Sequence, residues 1–146
     1  MVVSYRGEWC PYCHLTLRTY QDQLLQAFPE KGVVLIAISP QKPDCSLAMQ
    51  EEHRLTYTVL SDPGNQIATQ LGVLMPLRGE AARQAEAKLG VDVAAANADD
   101  SETIPMPTTV ILDAEGTIRW IDTHPDHTTR SEPTGILDAL KQTIGR

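Results

Sequence analysis

The segment Trp9-Cys10-Pro11-Tyr12-Cys13 lies between a short β-branched run, Val2–Tyr5, and a helical pattern that opens at Pro11. This placement restricts the fold more than any other feature of the chain. Gly7 ends the strand. Proline is favoured at the first position of a helix, where its missing N–H costs nothing. With Pro11 there, Cys10 becomes the N-cap and Cys13 the third helical residue. An N-cap side chain faces the free N–H groups of the first turn, here those of Tyr12 or Cys13, and the positive end of the helix dipole. Both favour a thiolate, and thiols so placed fall from about 8.5 to roughly 3.5–7.5. Cys13, one turn on, is within reach of a disulfide with Cys10. The four residues can thus hold a complete two-cysteine redox cycle.

Other chemistries share parts of this pattern. Cys10-Pro11-Tyr12-Cys13-His14 satisfies C-x-x-C-H, the haem c attachment string, with His14 as the axial ligand. His14 also reads as a helix-surface residue that supports the thiolate when protonated. A zinc site would join the pair to His124 and His127, whose spacing is shorter than zinc sites use. The expectation is no metal and no cofactor. Cys45, after Ser39-Pro40-Gln41-Lys42-Pro43-Asp44, reads as a possible extra thiol at the carboxyl end of a strand, where α/β sites gather, or as a small apolar filler.

The rest of the chain supplies the frame. Leu17, Tyr20, Leu24, Leu25 and Phe28 fall on one helical face. Lys31–Ser39 is a continuous apolar run, as for a parallel strand covered on both faces. A second helix starts near Pro43 with Asp44 as its N-cap. Tyr57–Leu60 is a short strand, and Ser61–Gly72 a capped helix ended by glycine. Residues 74–104 are rich in Ala and charge, with a weak helix at Glu80–Leu89. They read as an insertion, poor in apolar mass, within one domain spanning 1–146. Thr108–Asp113 and Thr117–Asp122 flank a turn with Gly116 at a positive-φ position. Ile136, Leu137, Leu140 and Ile144 mark a last amphipathic helix. The order predicts an α/β fold of the thioredoxin type, a central mixed sheet of four to five strands flanked by helices. Pro107 precedes a hairpin strand. A cis bond there would turn the Met106 carbonyl and amide toward the dithiol, as an edge for an extended substrate.

The sequence resembles the CxxC-containing peroxiredoxin-like proteins of the alkyl hydroperoxide reductase/thiol-specific antioxidant (AhpC/TSA) group of the thioredoxin-fold superfamily. The matching pieces are YRGEWCPYC, VVLIAISPQKPD, YTVLSDPGNQIATQLGV and PMPTTVILDAEGTIRW, in the group's order. The resemblance implies Cys10 and Cys13 as catalytic residues, with Trp9, Pro11, Tyr12, Met106 and Pro107 in support. Laid without gaps on the peroxiredoxin motif, the peroxidatic cysteine falls on Cys13, the threonine on Cys10, the proline on Arg6, and the later arginine on Pro107. Thioredoxin logic and the cap argument favour Cys10 as first attacker, and both assignments stand at this point.

The implied function is a thiol oxidoreductase that reduces hydroperoxides or disulfides through a Cys10/Cys13 cycle, reset by an external thioredoxin- or glutaredoxin-like thiol. Loss of the peroxiredoxin threonine and arginine implies weak peroxidase activity. The alternatives are a thioredoxin-type disulfide reductase without peroxidase activity and a non-catalytic zinc- or haem-binding protein. A homodimer is compatible with the resemblance. Formal charge of −7 argues against nucleic acid or anionic membrane as partner. No 18-residue apolar run and no secretory signal are visible, so a cytoplasmic location is expected. The chain starts at the first strand, where relatives carry more sequence, so this end is expected to be short.

Overall fold

The computed structural model describes residues 1–75 and 79–144; residues 76–78, part of the expected insertion, lie outside the described residues. Among the described residues, five strands form one sheet in the order β3-β2-β1-β4-β5. They are β1 (Val2–Ser4), β2 (Ile36–Ser39), β3 (Thr58–Ser61), β4 (Thr108–Leu112) and β5 (Ile118–Thr123). β1 is central. It runs parallel to β2, with Val3 opposite Ala37, and antiparallel to β4, with Val3 opposite Thr109. The half of the sheet made of β1, β2 and β3 is parallel, and β4–β5 is an antiparallel hairpin. Gly116 closes that hairpin at φ +83°, a backbone state that costs glycine nothing. The mixed sheet is the architecture the element order predicted.

Among the described residues, six α-helices accompany the sheet: α1 (Pro11–Gln23), α2 (Pro43–Glu52), α3 (Gln66–Leu71), α4 (Glu80–Leu89), α5 (Val93–Ala96) and α6 (Pro133–Ile144). The apolar face of α1 does what its spacing requires. Leu17, Tyr20, Leu24 and Phe28 are buried in the main core with Val3, Ala37, Met49, Ile111, Ile136 and Leu140. The helix stops at Gln23, however, so Phe28 reaches this core from the turn that follows. The apolar run 31–39 is strand only from Ile36, because a 3-10 turn at Pro29–Lys31 uses its start. Asp44 is not the cap of α2. Pro43 takes the first helical position, which places Lys42 at the N-cap and Asp44 inside the first turn. Asp62 acts instead one helix later, its carboxylate accepting from the amides of Ile67 and Ala68 at 3.0 and 3.2 Å. No helix among the described residues is long and apolar enough to cross a membrane.

Residues 74–104 build more than their composition promised. Ala82, Ala85, Val93 and Ile104 are buried together in a second, smaller cluster, with Trp9, Met75 and Val91 packed on it. Small residues suffice because α4 lies against α5 and against Trp9, which also packs on the main core. One buried amide holds this segment to the parallel half of the chain, and a second pins the segment on itself. Asn65 Nδ2 donates to the Thr103 carbonyl at 3.0 Å, and Asn97 Nδ2 donates to the carbonyls of Ser101 and Thr103 at 2.8 and 3.0 Å.

Candidate active site

The chain leaves the carboxyl end of β1 at Tyr5, whose amide extends the ladder to the Ile38 carbonyl. Arg6–Trp9 then form a tight loop. The Glu8 amide donates to Gln41 Oε1 at 2.7 Å, tying the loop to the second residue after β2. Gly7 is required there by space: a Cβ would lie 2.4 Å from Trp9 Nε1 and 2.9 Å from Gln41 Nε2. Gly7→Ala is expected to cost about 1–3 kcal/mol, the usual penalty for overpacking, measured as a lower midpoint in denaturant unfolding followed by circular dichroism.

Cys10 occupies the N-cap of α1 with extended backbone, φ −93° and ψ 112°, and Pro11 opens the helix. Its sulfur makes no cap hydrogen bond of standard geometry; the side-chain donor nearest to it is Arg6 Nη1, at 4.0 Å. The Cys10 thiol is held down at about 5, first by a hydrogen bond from the Cys13 thiol, then by the Cys13 amide and the charges of Arg6 and Arg130, against the opposing effect of burial. Cys13 goes the other way. It is 0 % exposed, and burial, followed by the hydrogen bond and charge of Cys10, pushes its thiol well above the ordinary value. Both are free thiols. The pair therefore shares one proton, which sits on Cys13.

Two guanidinium groups flank the sulfurs. Arg6 Nη1 lies 4.0 Å from Cys10 Sγ, and Arg130 Nη2 lies 3.5 Å from Cys13 Sγ. Arg6 is only 5 % exposed, and its guanidinium sits over the Trp9 ring at 4.9 Å. Arg130 is carried by the loop before α6. That loop is fixed by Tyr20, whose hydroxyl donates to the Ser131 carbonyl at 2.7 Å, and by Ser131 Oγ donating to Asp122 at 2.8 Å. Neither arginine drew notice from the sequence as a site residue. Arg130 lies 117 positions from Cys13, and no local pattern joins them.

A cavity of about 230 Å³ opens on Cys10 and not on Cys13. Arg6, Pro11, Tyr12 and His127 line it from one side, and Gln84, Ala85, Lys88 and Leu89 of α4 from the other. The segment 74–104 therefore walls the cavity beside the dithiol. Tyr12 is 44 % exposed and meets the edge of the His127 ring.

Several expected partners are elsewhere. His14 does not face Cys10: its ring contacts the Glu8 carbonyl and the His53 ring. His124 pairs with Asp122, and among the described residues no cluster of three or more ligating side chains contains a cysteine. Cys45 is half-buried near the start of α2 and is absent from the cavity lining. The Met106–Pro107 bond is trans, not cis. The backbone of Met106 is also occupied: its amide donates to the Val73 carbonyl at 2.7 Å and its carbonyl accepts from Thr108 Oγ1 at 2.9 Å. It presents no free edge to a substrate.

A five-strand mixed sheet with a cysteine pair at the amino end of its first helix defines a thioredoxin-fold dithiol protein. The chain belongs to the AhpC/TSA family, whose profile matches residues 1–121. Chloroplastic peroxiredoxin Q of Gentiana triflora is 28% identical over 121 residues, which are 83% of this chain and 45% of that one. The corresponding protein of Populus jackii is 26% identical over the same length, with 46% of it covered. The chain thus spans under half the length of these curated relatives. Among solved structures, peroxidoxin BcpB of Mycobacterium tuberculosis aligns over 99% of this chain and 77% of its own, with TM-score 0.67 and 20% identity. Reduced Prx3 of Vibrio vulnificus, solved in complex with H2O2, aligns over 99% and 79% with TM-score 0.74 and 17% identity. At these identities the structural likeness concerns the fold.

Proposed function

We propose that this protein is a thiol-dependent peroxidase that works through a Cys10–Cys13 dithiol cycle. The observation that carries the reading is the asymmetry of the pair: both cysteines are buried, at 1 % and 0 % exposure, but of the two only Cys10 lines the cavity, and its thiol is held at about 5 while that of Cys13 is pushed up. The Cys10 thiolate attacks the near oxygen of a hydroperoxide. An S–O bond forms, the O–O bond breaks, and the alkoxide leaves as an alcohol after taking a proton. Cys13 sulfur then attacks the Cys10 sulfenic acid, its proton departing with the hydroxide as water, and the disulfide forms. An external dithiol, thioredoxin- or glutaredoxin-like, restores both thiols.

Arg6 and Arg130 take the part that the peroxiredoxin threonine and arginine play elsewhere in the family. Their positive charge favours the thiolate and the oxyanion that develops on the departing oxygen. General reduction of protein disulfides fits the geometry less well. An extended chain would need backbone partners at Met106, and these are consumed by Val73 and Thr108.

The test is stoichiometric. Reduced protein given one equivalent of hydroperoxide is expected to lose two thiols and two mass units, with the Cys10–Cys13 disulfide found in the peptide map. Thiols unchanged under those conditions, with oxidised thioredoxin-like disulfides consumed instead, would overturn the peroxidase reading in favour of disulfide reduction.

A further inference from the structure

A second cluster of chemistry-bearing side chains lies outside the dithiol cavity. His14 is the fourth residue of α1, Glu52 is the last residue of α2, and His53 follows it. One ligand atom from each lies within 4.8 Å of the other two. The two imidazole rings meet edge to face with centroids 4.5 Å apart. His14 Nε2 lies against the Glu8 carbonyl; a carbonyl only accepts, so in the neutral ring the proton belongs on Nε2 and the lone pair on Nδ1. A ring that donates one N–H to a backbone carbonyl while its other nitrogen is free is the arrangement found behind metal-ligating histidines. His53 supplies the second sign. Its Nε2 is buried and has no hydrogen-bond partner among the described residues. A buried ring nitrogen without a partner normally costs free energy, and coordination would satisfy it.

We propose that His14, His53 and Glu52 form a site for a divalent ion of the zinc class, separate from the cysteines. Two imidazoles and one carboxylate are a ligand set that zinc accepts, with water in the fourth position. Tetrahedral bonds of about 2.0–2.2 Å put ligand atoms roughly 3.3–3.6 Å apart. The cluster contracts to that spacing by side-chain rotation, which the exposed Glu52 carboxylate is free to make. The ion would tie the first turns of α1 to the end of α2. It would thereby brace the helix that carries the dithiol without taking a sulfur ligand.

The cysteines bind zinc themselves, so the experiment removes them from the competition. The full chain carrying Cys10→Ser, Cys13→Ser and Cys45→Ser is titrated with ZnCl2 against a chromogenic chelator. The wild-type chain with its dithiol oxidised and Cys45 alkylated is titrated in parallel, in case the triple variant folds poorly. One equivalent of zinc is expected in both. Glu52→Gln, at an exposed position, and His53→Ala are each expected to weaken binding at least about tenfold. Cobalt in place of zinc is expected to show d–d bands without sulfur-to-metal charge transfer. Absence of stoichiometric uptake in the oxidised wild-type chain, or affinity unchanged in Glu52→Gln and His53→Ala, would overturn the site.

Discussion

Cys10→Ser is expected to abolish hydroperoxide turnover, whereas Cys13→Ser keeps the first oxidation and loses recycling. The cavity reaches only Cys10, and Cys10 is the sulfur whose ionisation lies below neutrality. A serine hydroxyl there is neither ionised nor nucleophilic at pH 7. Removing an enzyme's nucleophile costs up to about a million-fold in turnover, so only a trace of the wild-type rate should remain. In Cys13→Ser the thiolate still meets peroxide, and the serine hydroxyl can still donate to it. The product has no internal partner, so one turnover leaves a Cys10 sulfenic acid. Steady-state peroxide consumption and mass spectrometry after one equivalent separate these cases. Oxidation that survives in Cys10→Ser and is lost in Cys13→Ser would place the nucleophile on Cys13, the register of the gapless peroxiredoxin alignment.

The pair's shared proton leads to the second large effect, a pH dependence with two limbs. Alkylation of the reduced protein by iodoacetamide should rise with a midpoint at about 5 and stay flat through neutrality, because Cys13 holds its proton well above the ordinary thiol range. The order of causes ranks the variants. Cys13→Ala, which removes the thiol that does most to hold the Cys10 anion, should move the midpoint upward more than Arg6→Met or Arg130→Met. Stability follows by linkage. Unfolded thiols ionise near 8.5. Between about 5 and 8.5 the unfolded chain holds both protons and the folded chain has lost one, so stability of the reduced form climbs with pH. The contribution of Cys10 is complete above the unfolded value and is lost as pH falls through about 5. Beyond 8.5 the unfolded chain has released both protons while Cys13 retains its own, and stability declines. Urea unfolding of the reduced protein at several pH values, with the oxidised protein as reference, should show this maximum. A reduced-minus-oxidised difference that is flat from pH 5 to 8 would contradict the shared-proton arrangement.

Local pattern carried much of the fold. Pro11 beside Cys10, the glycine ends at Gly72 and Gly116, and the helical face of Leu17, Tyr20 and Leu24 each follow from rules that act over a few residues, and the structure keeps them. The failures are also local. Asp44 lost the cap to a competing proline signal one residue earlier, and the run 31–39 hid a turn inside an apolar stretch. What periodicity could not reach is the set of tertiary polar contacts. Gln41, Asn65 and Asn97 carry no periodic signal, yet each is buried; Gln41 and Asn65 fix one segment to another, and Asn97 pins the loop that follows it. Arg130 belongs to the same class: its role depends on where Tyr20 and Asp122 hold its loop. The resemblance to the AhpC/TSA group was readable because its blocks are contiguous. The placement of Arg6 and Arg130 beside the two sulfurs was not, since it exists only in three dimensions.

Trp9 stands in an unusual spot, one residue before Cys10, packed on both hydrophobic clusters and capped by the Arg6 guanidinium. Its indole emission is consequently a built-in optical gauge. Thiolates and nearby cations alter indole fluorescence, so closing the disulfide should change the signal of Trp9, and Trp120→Phe removes the second indole, which packs on the same core. The elementary steps of the cycle can therefore be timed by stopped-flow mixing without attaching a dye.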